Sequence, residues 1–263
     1  MNLIPASDRT PAQLASLFTA GYEGYYMPVS VDEATFRFMA GAWDYDLDSS
    51  LVAVDGDEDV GFCMLGVRGE DGWVGGVGIV PSQRGRKVGT RLMEAAADRA
   101  RALGVKRLWL EVLEQNAPAI ALYEKLGYER VRMLEVWTLD PLVFQKHAAR
   151  SVPAAAAHER IRAERTEREP WQRADESVAG AEGLEGLVND GAAAIFRVTG
   201  ERVSLLQATA VDEASARELL HGFPAAASSL GWLNGPEGHP VNGAIDSLGG
   251  TLGARQHEMV LEL

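Results

Sequence analysis

Seven consecutive residues, Arg84, Gly85, Arg86, Lys87, Val88, Gly89 and Thr90, set three cations and two glycines directly ahead of a helical run. A turn of this kind presents backbone N–H groups at a helix N-terminus, where the helix dipole favours negative charge, so it suits a diphosphate. Arg84, Arg86 and Lys87 can neutralise phosphate charge while the amides from Gly85 to Thr90 point at the ligand. Just upstream, Ile79 and Val80 end a strand-like run and can offer main-chain groups to an extended amide arm. A strand-end N–H near Val80 is also available to an oxyanion. Further along stand Glu111, Asn116, Ala119 and Tyr123. A phenol, with a pKa of about 10, is protonated at neutral pH and can donate; a carboxylate twelve residues earlier can accept a proton, directly or through water. By residue type alone each has a plainer role. Tyr123 fits a half-buried helix tyrosine, Glu111 an idle strand carboxylate with Glu114 as competitor, and Asn116 a turn residue.

The surrounding pattern supplies the elements that must hold these groups. Leu14, Leu17 and Phe18 recur at helical spacing after a Thr10–Pro11 start, and Ser30 is expected to cap a second helix through Phe36, Phe38 and Met39. Leu51 to Val54 and Val60 to Val67 read as strands joined by the acidic turn Asp55 to Asp59, and Trp73 to Val80 as the third strand of the meander. Leu92 to Leu103 reads as a helix stopped by Gly104, followed by a strand from Arg107 to Leu113. Pro118 opens another helix that ends at Gly127, and Tyr128 to Leu139 is strand-like.

Two segments resemble the signatures of the GNAT superfamily of N-acetyltransferases. The first pattern, Q/R-x-x-G-x-G/A, falls on Arg84, Gly85, Arg86, Lys87, Val88 and Gly89, and departs from it at Lys87, where the family usually carries glycine. A side chain there is costly if φ is positive. The second runs Leu108, Trp109, Leu110, Glu111, Val112, then Asn116, Ala119, Ala121, Leu122, Tyr123, Leu126, Gly127 and Tyr128. It is most similar to the enzymes that acetylate the N-terminus of a ribosomal protein. The resemblance implies acetyl-coenzyme A as acyl donor and direct attack of an amine acceptor on the thioester, with Tyr123 as general acid, Glu111 as base and Asn116 and Ala119 on the cofactor arm. It also places Tyr22, Tyr25, Tyr26, Met27 and Trp43 in the helix region that walls the acceptor side, although aromatics of this kind are more often core residues.

The expected fold class is α/β (α+β), a mixed, mostly antiparallel sheet flanked by helices, with a second, smaller half-domain of the same kind. The expected boundaries are 1–145 for the acetyltransferase domain, 146–170 for a charged linker helix, and 171–263 for a degenerate partial copy. The linker assignment rests on His158 to Glu169, whose alternating charges favour pairs between i and i+4 on a solvated helix. In the copy, Ala192 to Val198 resembles Val60 to Val67, Arg202 to Val211 resembles Trp73 to Val80, and Pro240 to Gly249 resembles Pro118 to Gly127. Ile245 stands in the place of Tyr123 and Gly238 in that of Asn116, and no basic turn precedes its helix. The C-terminal part is expected either to pair within a homodimer or to supply strands to the first domain's sheet, since an uncovered sheet edge is normally paired.

A chain of 263 residues with 46% apolar and 24% charged residues can bury a core. Its formal charge of −13 argues against nucleic acid as partner. The single cysteine, Cys63, excludes an internal disulfide and fits a core position in a reducing compartment. The histidines show no metal-ligand spacing, so no metal is expected. No long apolar run suggests a membrane span, and a cytoplasmic protein is expected. Seven acids within Asp44 to Asp59, uninterrupted by Lys or Arg, read as a solvated turn or as a field that steers a cationic amine. The rival to an enzyme is a non-catalytic module that binds acyl-coenzyme A as a sensor or scaffold.

Overall fold

The computed structural model describes residues 1–143, 145 and 148–263, so position 146, the expected start of the linker, lies outside the described residues. The chain forms two compact units, one of Met1–Val131 with Glu258–Leu263 and the other of Arg132–His257.

The first unit contains β1 (Asn2–Pro5), α1 (Pro11–Gly21), α2 (Glu33–Ala42), β2 (Leu51–Asp55), β3 (Glu58–Arg68), β4 (Asp71–Ile79), α3 (Val88–Ala102), β5 (Arg107–Leu113), α4 (Ala117–Lys125) and the start of β6 (Glu129–Leu139). Thr10 and Gln13 make a reciprocal capping box at α1, with Pro11 at its first position. The second helix is capped by the Asp32 carboxylate, which accepts from the Thr35 N–H, and not by Ser30. The difference is two residues of register: the carboxylate lies where the first free amides are. Strands β1 to β4 form an antiparallel meander. Helix α3 lays Val88, Leu92, Met93, Ala96 and Ala100 onto a core shared with Leu51, Cys63, Leu65, Leu108 and Leu110.

Between β4 and β5 the pairing is parallel and short. Asp71, Gly72 and Trp73 oppose Arg107, Leu108 and Trp109, and beyond Trp73 no further rung is formed. The strands therefore part into a wedge that faces the α3 and α4 N-termini.

The second unit contains β7 (Arg150–Val152), α5 (Ala154–Glu164), α6 (Asp175–Ala179), β8 (Leu184–Val188), β9 (Ala192–Thr199), β10 (Arg202–Ala210), α7 (Glu213–His221), β11 (Ser229–Pro236), α8 (Pro240–Ser247) and most of β12 (Thr251–Glu262). The succession of strands and helices from β7 to β12 is the same as from β1 to β6, so the repeat extends further upstream than sequence similarity indicated. Its strands run in the order β6, β11, β10, β9, β8, β7. Here too β10 and β11 are parallel for four residues, Arg202–Leu205 against Ser229–Trp232, and then part.

Two expectations about boundaries change. Helix α5 is not a solvated linker: Ala157 and Ile161 are buried against Val178, Val188, Ala193 and Ile195, so it is a packed element of the second unit. Its alternating charges occupy the remaining face, with Arg160 paired to Glu164 at 2.8 Å. The second change concerns the final strand of each repeat. From Arg132 onward β6 belongs to the second unit, where Leu134–Leu139 pairs antiparallel with β11. The end of β12 belongs to the first, where Met259 is buried in the core and the Leu263 N–H donates to the Lys106 carbonyl at 2.8 Å. A sequence boundary drawn at a composition shift cannot register such an exchange, because either strand has the alternation that either sheet requires.

Candidate active site

The basic turn enters α3 through two left-handed residues, Gly85 at φ 76° and Lys87 at φ 61°. A Cβ at Gly85 would meet no atom within 4 Å, so that side of the turn is open. Lys87 is the N-cap of α3 and makes no side-chain cap bond. The earliest helix bond in this turn is donated by the Arg91 N–H to the Lys87 carbonyl at 3.2 Å. The amides of Val88, Gly89 and Thr90 consequently have no partner one turn back, and they form a cluster of donors at the positive end of a fifteen-residue helix. The left-handed Lys87 is strained relative to glycine by roughly 1 kcal/mol. That is the position where this chain departs from the family pattern.

The cations of the turn do not act together. The Arg84 guanidinium donates to three main-chain carbonyls: Ile79 at 3.0 Å, Gly21 at 3.2 Å and Glu23 at 2.6 Å. It fastens the end of α1 to the end of β4, and is not a phosphate ligand in this arrangement. Arg86 donates to the Gln83 side chain and lies 3.8 Å from Asp55, with its side chain largely exposed. Lys87 is exposed. The expectation for Val80 also changes: its N–H donates to the Val60 carbonyl at 3.0 Å and is not free for an oxyanion. Ile79, next to it, is partly buried against the core.

At the other face of the wedge, Glu111 lies on β5 two residues past the last rung. Its Oε2 accepts from the Trp73 indole N–H at 2.8 Å. The Trp73 ring is stacked on Tyr45 (6.1 Å between centroids, 18° between planes), and Trp43 meets it edge-on at 5.7 Å. Tyr45 Oη–H donates to the Gly75 carbonyl at 3.1 Å. Burial, reinforced by Tyr22 and by the Glu111 charge, holds the Tyr45 phenol well above its ordinary pKa.

Tyr123 projects from α4 and is partly buried against the core of α3 and β5. Desolvation raises its phenol far above the usual value, with smaller contributions from Tyr22, Cys63 and Tyr25, so it is protonated throughout the neutral range. Tyr22 interacts with the Val77 main chain and Tyr25 with the Asn116 side chain. Asn116 caps α4 through Oδ1, which accepts from the Ala119 N–H at 3.3 Å. Tyr22 and Tyr25 meet edge-on at 5.0 Å between ring centroids. Cys63 is fully buried, and burial alone pushes its thiol up to about 12. It is a core residue.

Part of the acidic stretch is paired with cations. Asp44 receives Arg68 at 2.7 Å and Asp59 receives Arg9 at 2.7 Å. Such pairing weakens the steering field that the sequence alone suggested. Trp73 and Tyr45 were not singled out in the sequence as site residues. A usable signal was the Gly75–Gly76 pair next to Trp73: a Cβ at Gly75 would lie 2.4 Å from both the Trp73 and the Tyr45 rings.

In the second unit the corresponding wedge is filled. Arg173, 2% exposed, donates from Nε to the Leu206 carbonyl on β10 and from Nη1 to the Asn234 carbonyl on β11, both at 3.0 Å, and lies 3.5 Å above the Trp232 ring. The first turn of α7 is capped by Asp212, whose carboxylate accepts from the Ser215 N–H at 2.7 Å, and Glu213 follows it. Both features oppose a diphosphate. Among the described residues no group of three or more His, Cys, Asp or Glu could hold a metal ion, and no helix is long and apolar enough to cross a membrane.

Residues 12–128 match the profile of the acetyltransferase (GNAT) family. Over 95 residues, 34% of this chain and 49% of the relative, the sequence is 39% identical to a streptothricin acetyltransferase of Streptomyces lavendulae. It is 31% identical over 110 residues to N-alpha-acetyltransferase 30 of Schizosaccharomyces pombe, covering 40% of this chain and 71% of that protein. The chain spans about half the length of the first of these curated relatives. A tandem GNAT protein from the clavulanic acid biosynthesis pathway superposes with a TM-score of 0.63 at 16% identity, over 99% of this chain and 98% of that one. At that identity the likeness is one of fold, and it extends through both units.

Proposed function

Because this chain belongs to the GNAT family of acetyltransferases, we propose that its first unit transfers the acetyl group of acetyl-coenzyme A to a primary amine, on a small molecule or a peptide terminus, by direct attack. The observation that carries this reading is the wedge between β4 and β5, which has a carboxylate at its vertex and, in the same unit, a desolvated phenol on α4 and an uncapped helix start at Lys87. The open turn fits the donor: the amides of Val88, Gly89 and Thr90 hold its diphosphate, with Lys87 and Arg86 beside them. Bound there, acetyl-coenzyme A supplies the thioester. The stretch of β4 beyond Trp73, where β5 no longer pairs with it, receives the extended arm.

Each residue then has a defined task. Glu111 takes the proton that an ammonium must lose before it can attack. Tyr123 keeps its proton across the neutral range and delivers it from Oη to the departing sulfur. Asn116 holds the start of α4, and with it the Tyr25 side of the cleft. The streptothricin acetyltransferase relative supports a small-molecule acceptor, and the N-alpha-acetyltransferase relative supports a peptide terminus.

The test is release of free thiol from acetyl-coenzyme A across a panel of small amines, polyamines and peptides, with the acetylated product identified by mass. Turnover with one class assigns the acceptor. A silent panel with demonstrated binding of acetyl-coenzyme A would replace this reading by the sensor or scaffold alternative.

A further inference from the structure

We infer that Trp73 is a positioning residue for deprotonation of the acceptor amine, one that fixes the Glu111 carboxylate at the vertex of the wedge. This rests on the reading of Glu111 as the base.

The geometry places the indole where no other ring of its strand can act. Trp73 is the last residue of β4 paired to β5, opposite Trp109, and Glu111 is two residues further along β5. Successive residues of a strand alternate faces, so Trp109 and Glu111 share one face, and Trp73 reaches diagonally across to the second of them. The rung below repeats the device: Asp71 accepts from the Trp109 indole at 2.8 Å and pairs with Arg107 at 2.9 Å. Two diagonal side-chain bonds therefore tie β4 to β5 where the main-chain ladder stops. The upper one ends on the carboxylate that borders the open part of the cleft.

The indole cannot easily turn away. It is 2% exposed, stacked flat on Tyr45 and held edge-on by Trp43. Tyr45 is in turn anchored by its hydroxyl on the Gly75 carbonyl and by the backbone bridge to Gly66. Gly75 has no side chain because both rings occupy that volume. A hydrogen bond donated by a buried ring packed against Tyr45 and Trp43 sets the direction of Oε2. An N–H donor also favours the ionised carboxylate, the form that can accept a proton. In metal sites, an outer partner that orients a ligating carboxylate or histidine is worth roughly 10- to 100-fold, and the same orienting logic applies to a carboxylate base.

The test is a double-mutant cycle in the full chain with an amine that is turned over. Trp73→Phe keeps an aromatic ring and removes the N–H. The expected result is a fall in kcat of about tenfold, with the KM for acetyl-coenzyme A unchanged, and no further fall when Trp73→Phe is added to Glu111→Gln. If Trp73→Phe fails to fold, as judged by circular dichroism, benzothienylalanine at position 73, of the same shape without the N–H, gives the same readout. Equal losses from Trp73→Phe in the wild-type and Glu111→Gln backgrounds would overturn the inference and leave the proposed function standing. Full activity of Glu111→Gln alone would overturn the role of Glu111 itself, and this inference with it.

Discussion

Arg84 donates from Nη2 to the main-chain carbonyl of Glu23 at 2.6 Å, joining the loop after α1 to the end of β4. Two further carbonyls, of Gly21 and Ile79, share the same guanidinium. Replacing it by glutamine is expected to destabilise the first unit by about 1–2 kcal/mol, the scale of charge-assisted bonds that are partly solvated. Denaturant midpoints measure this. Because the side chain holds the loop rather than a phosphate, the salt dependence of acetyl-coenzyme A binding should be that of the wild type; a shallower slope would return Arg84 to the ligand.

Met259 is completely buried in the core of the first unit although it lies four residues before Leu263. Met259→Ala is expected to cost about 2–4 kcal/mol. Deleting residues 258–263 should cost more, since it also removes the bond from the Leu263 N–H to Lys106. Activity assays at rising temperature would register the loss in the first unit. An unchanged activity–temperature curve for the deletion would show that this strand is dispensable.

One molecule of acetyl-coenzyme A is expected per chain. The second wedge is bridged by Arg173, and the α7 start is occupied by Asp212 and flanked by Glu213. Titration calorimetry should give a stoichiometry of one, unaltered by Glu213→Ala, whereas two equivalent sites would contradict the filled second wedge.

The second unit is expected to lose stability on mild acidification. Burial lowers His239 from its ordinary 6.5 to about 4, with the Arg173 charge adding to the effect. The unfolded chain therefore binds a proton between about 6.5 and 4 that the folded one does not, so stability falls as pH drops through that window. His239→Asn should flatten the dependence of the unfolding free energy on pH in that range.

Much of the first unit was legible in the sequence because its signals are local. The Thr10–Pro11 start, the turn at Gly56 and the stops at Gly104 and Gly127 act within a few residues, and both signatures fall on the turn before α3 and on β5–α4. The misread features are long-range. Arg84 is indistinguishable from a phosphate ligand until α1 is brought 61 residues back to it. Helix α5 has a charged alternation on one side that hides the two apolar contacts, Ala157 and Ile161, on the other. The exchange of β6 and β12 leaves no trace, since strand alternation does not name the sheet. Trp73 and Tyr45 belong to different elements, and only the fold makes them a support for Glu111.

The most direct test of the account is the comparison of wild-type protein with Tyr123→Phe in steady-state transfer from acetyl-coenzyme A to whichever amine it accepts. The phenol is desolvated and protonated through neutral pH, so its removal should lower kcat by at least about 100-fold while the dissociation constant of acetyl-coenzyme A stays within a factor of about three. A Tyr123→Phe protein that turns over at the wild-type rate would contradict the assignment of the proton donor.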